Sequence, residues 1–155
     1  MFVQADLALK LPFEDAAVAL ERAMSDGGLV SESRRAVAGG LEFVMPVGPR
    51  GGRFAARDVM VRMLPPRRAD EHVVVPLRWE TAGPAGRLFP ALDANLELTA
   101  SEDPNFSRLS IIGRYDPPLA GLGMTLDRIL MSKVATATMA AMLREVAAQL
   151  QSWTR

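Results

Sequence analysis

The sequence predicts an α+β domain in which an antiparallel β-sheet packs on one long C-terminal helix. Three observations predict it. Between Leu41 and Asp116 the apolar residues recur with a period of two, in short runs separated by turn-forming segments. From roughly 122 to 153 the pattern becomes helical, with no Gly or Pro after Gly123. The strands follow one another without helices between them, which is the punctuation of an antiparallel meander and not of repeated strand-helix-strand units.

Residues 2–9, FVQADLAL, read as the first strand, with Val3, Ala5 and Leu7 on one face and Gln4 and Asp6 on the other. Pro12 then opens a helix. Its first turn carries Glu14 and Asp15, which suit the positive end of the helix dipole, and Phe13, Ala16, Ala17, Leu20 and Met24 recur at helical spacing. Asp26-Gly27-Gly28 ends it. A second short helix is expected over Ser31–Ala38, capped by Ser31 and stopped by Gly39-Gly40.

Five strand segments follow. LEFVMPV places Leu41, Phe43 and Met45 on one face, RDVMVRML places Val59, Val61 and Met63 together, and HVVVPLRWET does the same for Val73, Val75, Leu77 and Trp79. NLELT sets Leu96 and Leu98 opposite Asn95, Glu97 and Thr99, and SRLSIIGRYD sets Leu109, Ile111 and Tyr115 opposite Ser110, Arg114 and Asp116. GPRGGR, PPRRADE, AGPAGR and ASEDPN are the breaks, and AGPAGRLFPALDA has room for a further short strand before Asn95. Pro76 removes a ladder donor from the third segment, which predicts an edge strand or a bulge there and leaves room for a homodimer as well as a monomer. The C-terminal helix, Leu122 to Trp153, would be about 45 Å long at ~1.5 Å per residue, so it must lie across the sheet. Leu126, Ile129 and Leu130 fall on one side of it and Met139, Leu143, Val146 and Leu150 on nearly the opposite side, which predicts a kink or a change of packing partner near Ala135–Thr138.

Composition narrows the functions. The chain has 155 residues, 49% of them hydrophobic, with 18 basic and 18 acidic side chains, one His and no Cys. These figures fit a single domain over residues 1–155 and argue against intrinsic disorder. Without Cys there is no disulfide framework, thiolate zinc site or cysteine nucleophile, and His72 alone cannot build a multi-histidine metal centre. No cofactor is implied. The start MFVQADLALKLPFED lacks a basic n-region, and no apolar run approaches the ~18 residues that span a bilayer, so the expected location is the cytoplasm, without membrane insertion. Zero net charge argues against a generic nucleic-acid binder. The balance is nonetheless uneven: from Arg34 to Arg68 eight Arg face only Glu42 and Asp58, a surplus of six positive charges that the rest of the chain cancels. GPRGGR and DGG are turn material and not phosphate-binding loops.

The order of elements, together with VVVPLRWETAGPAGRLFPALDANLELT and the later RYDPPLAGLGMTLDRILMSKVATAT, resembles the SRPBCC (START-like) superfamily, in particular an actinobacterial branch of it. That resemblance spans essentially the whole chain and carries no catalytic motif. It implies the helix-grip fold: a curved antiparallel β-sheet wrapped around a long C-terminal α-helix, two short helices after the first strand, and a hydrophobic cavity between sheet and helix. Strand parity and helix face then select the ligand-binding candidates Phe43, Met45, Val61, Met63, Leu77, Trp79, Leu96, Leu98, Ile111, Tyr115, Met131, Val134 and Thr138. A register slip of one residue would invert any strand's contribution. The nine Met, among them Met60, Met63, Met139 and Met142, suit either irregular core filling or an adaptable apolar pocket, and Ala135, Ala137, Ala140 and Ala141 leave volume along the helix.

Polar candidates are sparse. Arg78 and Glu80 share a face and could orient a polar head group, but opposite Leu77 and Trp79 they read first as a charge pair on the outer face. Arg114 and Asp116 read the same way. Tyr115, the single Tyr, could donate to a ligand oxygen or be satisfied by backbone, and Thr136 and Thr138 are alternatives on the helix. His72, beside a turn, is expected to be exposed and not catalytic. The leading reading is therefore a carrier or sensor whose partner is a small hydrophobic or amphipathic molecule. A polyketide cyclase/aromatase-like enzyme using Tyr115 or an inward Arg78–Glu80 pair is the first alternative, and a protein-interaction module using the basic 34–68 surface the second.

Overall fold

The computed structural model describes residues 2–26, 34–37, 40–47, 57–81, 91–116 and 128–154. In chain order they form β1 (Phe2–Leu9), α1 (Phe13–Ser25), β2 (Arg34–Val37), β3 (Gly40–Val47), β4 (Arg57–Met63), β5 (Arg67–Ala69), β6 (His72–Thr81), β7 (Ala91–Ala100), β8 (Ser107–Asp116) and α2 (Arg128–Trp153). The strands make one antiparallel sheet in the order β1-β8-β7-β6-β4-β3-β2, with β5 beside β6. The curved sheet grips α2, as the helix-grip expectation requires.

Period two explains the two faces. Val3, Ala5 and Leu9 of β1 are buried while Phe2, Gln4, Asp6 and Ala8 are exposed, and β7 alternates the same way, burying Leu92, Ala94, Leu96 and Leu98. The concave face continues through Val59, Val61 and Met63 of β4, Val73, Val75, Leu77 and Trp79 of β6, and Leu109 and Ile111 of β8, all at most 4% exposed. Beneath it, α1 buries Phe13, Ala16, Ala17, Leu20 and Ala23 and packs on β7 and β3, and α2 packs on β1, β8 and α1. The many Ala of α1 let its backbone approach the sheet closely. Pro12 precedes its first turn, Ala16 N–H donates to the Pro12 carbonyl at 3.0 Å, and Asp26 N–H closes the last turn on Arg22. Arg68 of β5 fastens that helix from outside. Its Nη2 donates to both Glu14 carboxylate oxygens at 2.6 Å and its guanidinium lies 5.4 Å from the Phe13 ring centroid. The hydrogen bond to Glu14 raises the Arg68 pKa above its already high ordinary value.

Four expectations are corrected. Arg34–Val37 is not part of a second short helix but a strand, β2, paired with β3 from Arg34↔Phe43 to Val37↔Gly40. Four residues of RRAV carry no period of their own, and pairing with β3 decides their conformation. PPRRADE is not turn throughout: Arg67–Ala69 form β5, and a two-residue turn at Asp70-Glu71, with Asp70 at φ 49°, returns the chain to β6. Left-handed φ at Asp is what such tight hairpins use. β7 begins at Ala91 and not at Asn95, so Ala91–Ala94 belong to that strand, while the rest of AGPAGRLFPALDA, residues 82–90, lies outside the described residues. Pro76, finally, is not at an edge, because β6 lies between β7 and the β4/β5 pair. Its carbonyl accepts from Leu64 N–H at 2.8 Å, so its missing donor faces the place where Leu64-Pro65-Pro66 separates β4 from β5. The proline costs the sheet a bond where the partner strand is already ending. The edges of the described sheet are β1 and β2.

The described part of the C-terminal helix starts at Arg128 and is unbroken through Ala135–Thr138. From Ala135 onward it buries one stripe, including Met139, Met142, Val146 and Leu150. The Leu126–Leu130 side chains on which the expected kink rests lie outside the described residues.

The tightest place in the sheet is Gly113 of β8, in register with Ala94 of β7. A Cβ at position 113 would stand 2.5 Å from the Ala94 Cβ and 2.7 Å from the Asp93 carbonyl oxygen. Because the second of these is backbone, the strands themselves would have to part. Gly113→Ala should therefore destabilise the fold by about 1–3 kcal/mol, the usual cost of overpacking, whereas Arg114→Ala next to it should cost well under that. Urea unfolding of the two variants checks this.

Candidate ligand-binding site

The candidate site is the concave face of the sheet, on the side where α1 and α2 pack. Of the sequence-selected residues, Val61, Met63, Leu77, Trp79, Leu96, Leu98 and Ile111 are all buried on that face. Cross-strand register joins several of them directly: Val61↔Trp79, Met63↔Leu77 and Leu96↔Ile111. Thr138 is buried on α2. Phe43, Met45 and Tyr115 occupy register positions across from Val61, Val59 and Leu92, and Met131 and Val134 lie on α2. The side chains of these five lie outside the described residues. Met60, by contrast, sits at the other parity of β4 and is only half-buried, while Met63, Met139 and Met142 are inward.

Sequence reasoning passed over part of the same face. Val59, Val73, Val75 and Leu109 were legible by parity, and Leu92 and Ala94 were hidden only because the strand was expected to begin at Asn95. Ser107 was missed altogether. It opens β8, is 1% exposed, and its Oγ has no hydrogen-bond partner among the described residues. A serine at a strand end carries no pattern that separates a buried hydroxyl from a turn hydroxyl.

The charged candidates lie on the other side of the sheet. Arg78 is half-exposed, with Nε 3.8 Å from Glu80 and Nη1 3.1 Å from Asp93, so the Arg78–Glu80 pair is an outer-face pair and does not enter the concave space. Arg62 pairs with Glu42 at 3.1 Å, and Arg114 lies over the Phe2 ring. His72 is partly exposed, its Nε2 3.2 Å from Glu97. Among the described residues the buried polar side chains are Ser107, Ser110 and Thr138, and no charged side chain is buried. Among the described residues no group of His, Cys, Asp or Glu could hold a metal ion, and no helix is long and apolar enough to cross a membrane. The concave surface can therefore offer apolar contact and a few hydroxyls.

No protein-family model matches the chain, and no curated protein matches it in sequence. Solved structures do match in fold. A conserved protein from Geobacillus kaustophilus aligns over 98% of this chain and 96% of its own, with a TM-score of 0.61 at 11% identity. The structure named Ara h 8.0201 aligns over 98% of both chains, with a TM-score of 0.59 at 9% identity. The di-domain ARO/CYC StfQ of the steffimycin biosynthetic pathway has a TM-score of 0.59 at 16% identity, covering 99% of this chain and 52% of that one. At such identities the likeness is one of fold. The chain has a helix-grip fold.

The two buried serines of β8 are physically different. Ser110 Oγ donates to Asp6 Oδ1 at 2.8 Å on the outer face, whereas Ser107 Oγ faces no described acceptor. Ser110→Ala should cost about 1 kcal/mol or somewhat more, because its acceptor is charged, while Ser107→Ala should be neutral or slightly stabilising. Thermal unfolding of both variants tests the contrast.

Proposed function

We propose that the chain is a helix-grip protein of the SRPBCC type that holds a small hydrophobic or amphipathic molecule between the concave face and α2, as a carrier or sensor. The observation that carries this reading is the one-sidedness of the sheet: the described inward positions of β1, β4, β6, β7 and β8 are apolar apart from Ser107, and the described ionised groups are outside. Such a surface binds by removing apolar area from water. A ligand burying about 300 Å² of apolar surface gains roughly 7 kcal/mol gross, at ~25 cal/mol per Å², before the cost of immobilising it. Thioethers at Met63, Met139 and Met142 allow the wall to adapt to an irregular ligand. This reading assigns the polar end to the buried hydroxyls of Thr138 and Ser107.

The likeness to an aromatase/cyclase makes polycyclic aromatics as reasonable a probe set as fatty acids. An enzyme needs convergent acid and base groups as well as a pocket, and the outward Arg78–Glu80 pair removes one of the two candidates for that role. Carriage is the better-supported use.

Native mass spectrometry of the purified protein, followed by organic extraction, should reveal a copurifying small molecule. In a Trp153→Phe background Trp79 is the remaining tryptophan, so a bound ligand should change its emission saturably. At a hundredfold excess over Kd the same ligand should raise Tm by about 5–10 °C, the equivalent of ~2.7 kcal/mol for a domain of this size. A protein without adduct that gains no thermal stability from either probe set would overturn the proposal.

A further inference from the structure

A second site lies on the opposite side of the sheet. Register aligns Glu42, Arg62, Arg78, Asp93, Arg114 and Phe2 in one row that crosses β3, β4, β6, β7, β8 and β1. Where the row passes over Ala94 and Gly113 the outer face holds an open depression of about 590 Å³. Leu77, Ala94 and Gly113, whose positions have the inward parity, line it together with the outward row.

The wall of this depression has two kinds of surface. Arg62, Arg78 and Arg114 line it with Asp93, while Glu42 pairs with Arg62 and Glu80 reaches Arg78 at 3.8 Å from beside it. Arg62 and Arg78 are direct cross-strand partners, an arrangement of like charges that is unfavourable unless something of opposite sign lies between or beside them. Glu42 and Asp93 engage one edge of each. Arg114 has no carboxylate within 4 Å among the described residues, and its described contact is the Phe2 ring at 5.8 Å. Apolar wall is supplied by Leu64, Pro76, Ile112 and Phe2, of which Phe2 is 76% and Leu64 45% exposed. Exposed apolar side chains beside Arg114, which has no described carboxylate within 4 Å, suit a ligand with an apolar body and an anionic head.

We propose that this convex depression binds a small amphipathic anion, with its carboxylate or phosphate on Arg78 and Arg114 and its apolar body against Phe2, Ile112 and Leu64. Guanidinium forks match both oxyanions in geometry, and charge-assisted hydrogen bonds are the strong ones. The site is separate from the concave space and does not depend on what that space holds.

The test is an amide chemical-shift titration of the full ¹⁵N-labelled chain at low salt with phenyl phosphate, benzoate, inorganic phosphate and benzyl alcohol. Phenyl phosphate and benzoate should both shift the amides of Asp93, Ile112 and Arg114 saturably, and the tighter of the two identifies the preferred head group. Each should bind about tenfold or more tightly than inorganic phosphate or benzyl alcohol, because only they use both walls. Arg114→Gln and Asn95→Asp, both at exposed positions, should each weaken phenyl phosphate about tenfold and keep a dispersed spectrum. Shifts confined to concave residues such as Val61 and Leu98, or equal affinity in Arg114→Gln, would refute the proposal. Self-association of the ligand-free protein that disappears in Arg114→Gln would also overturn it, by assigning the depression to a second copy.

Discussion

At Gly113 and Ala94, β7 and β8 come together more tightly than two side chains would permit. A Cβ at 113 has nowhere to go, with the Ala94 Cβ 2.5 Å away and backbone oxygen at 2.7 Å. Interiors do not deform continuously to admit an extra methyl. This contact thus sets a limit on the curvature of the sheet around it. The rest follows from which side of the bend a residue is on. Inward positions converge over α1 and α2 and must be apolar, and outward positions diverge and are left to water, to ion pairs and to whatever fills the gap between them.

The two faces are accordingly held by different physics. On the concave side Trp79, Leu96, Leu98, Leu109 and Ile111 lie at zero or one per cent exposure and contribute through burial, each worth roughly 1.5–3 kcal/mol relative to an exposed position. On the convex side the cross-strand row alternates in charge between Glu42 and Arg62 and from Arg78 through Asp93 to Arg114, and is broken once, at Arg62–Arg78. Exposed pairs of this kind contribute little to stability individually. Their arrangement matters more for what the surface attracts than for how firmly the strands are joined.

Much of this was legible in the sequence, for identifiable reasons. Strict alternation located β1, β4, β6 and β8, and the turn-forming segments separated them. The first helix followed from Pro12, its acidic first turn and Asp26. The same parity put Val61, Met63, Leu77, Trp79, Leu96, Leu98 and Ile111 together on one face, and put Arg78 and Glu80 on the other. What failed had no local signature. Arg34–Val37 is too short to show a period, and Ser31 with Gly39-Gly40 punctuates a strand as readily as a helix. Arg67–Ala69 is three residues inside a segment rich in turn formers. Pro76 was read as a missing donor at an edge or a bulge; it is not at an edge, and it lies where pairing is interrupted, with Leu64-Pro65-Pro66 opposite Val75-Pro76.

The separation of faces also bears on whether the concave space could do chemistry. Proton transfer there would require an acid or base held out of water, where desolvation moves its pKa toward the working range. The described carboxylates and His72 are on or near the solvent-facing surface, and the described inward positions carry no ionisable group. A catalytic version of this fold would need such a group on Tyr115, on α2 before Ala135, or on the segments that join the elements. The sequence supplies Glu32 before β2, Arg50 and Arg53 between β3 and β4, Arg87 between β6 and β7, Asp127 at the head of α2, and Arg128 and Lys133 on its first turns. A carrier needs none of them. On the described inward face the sheet offers apolar area, and on the outward face it offers paired charges and the Arg114 guanidinium.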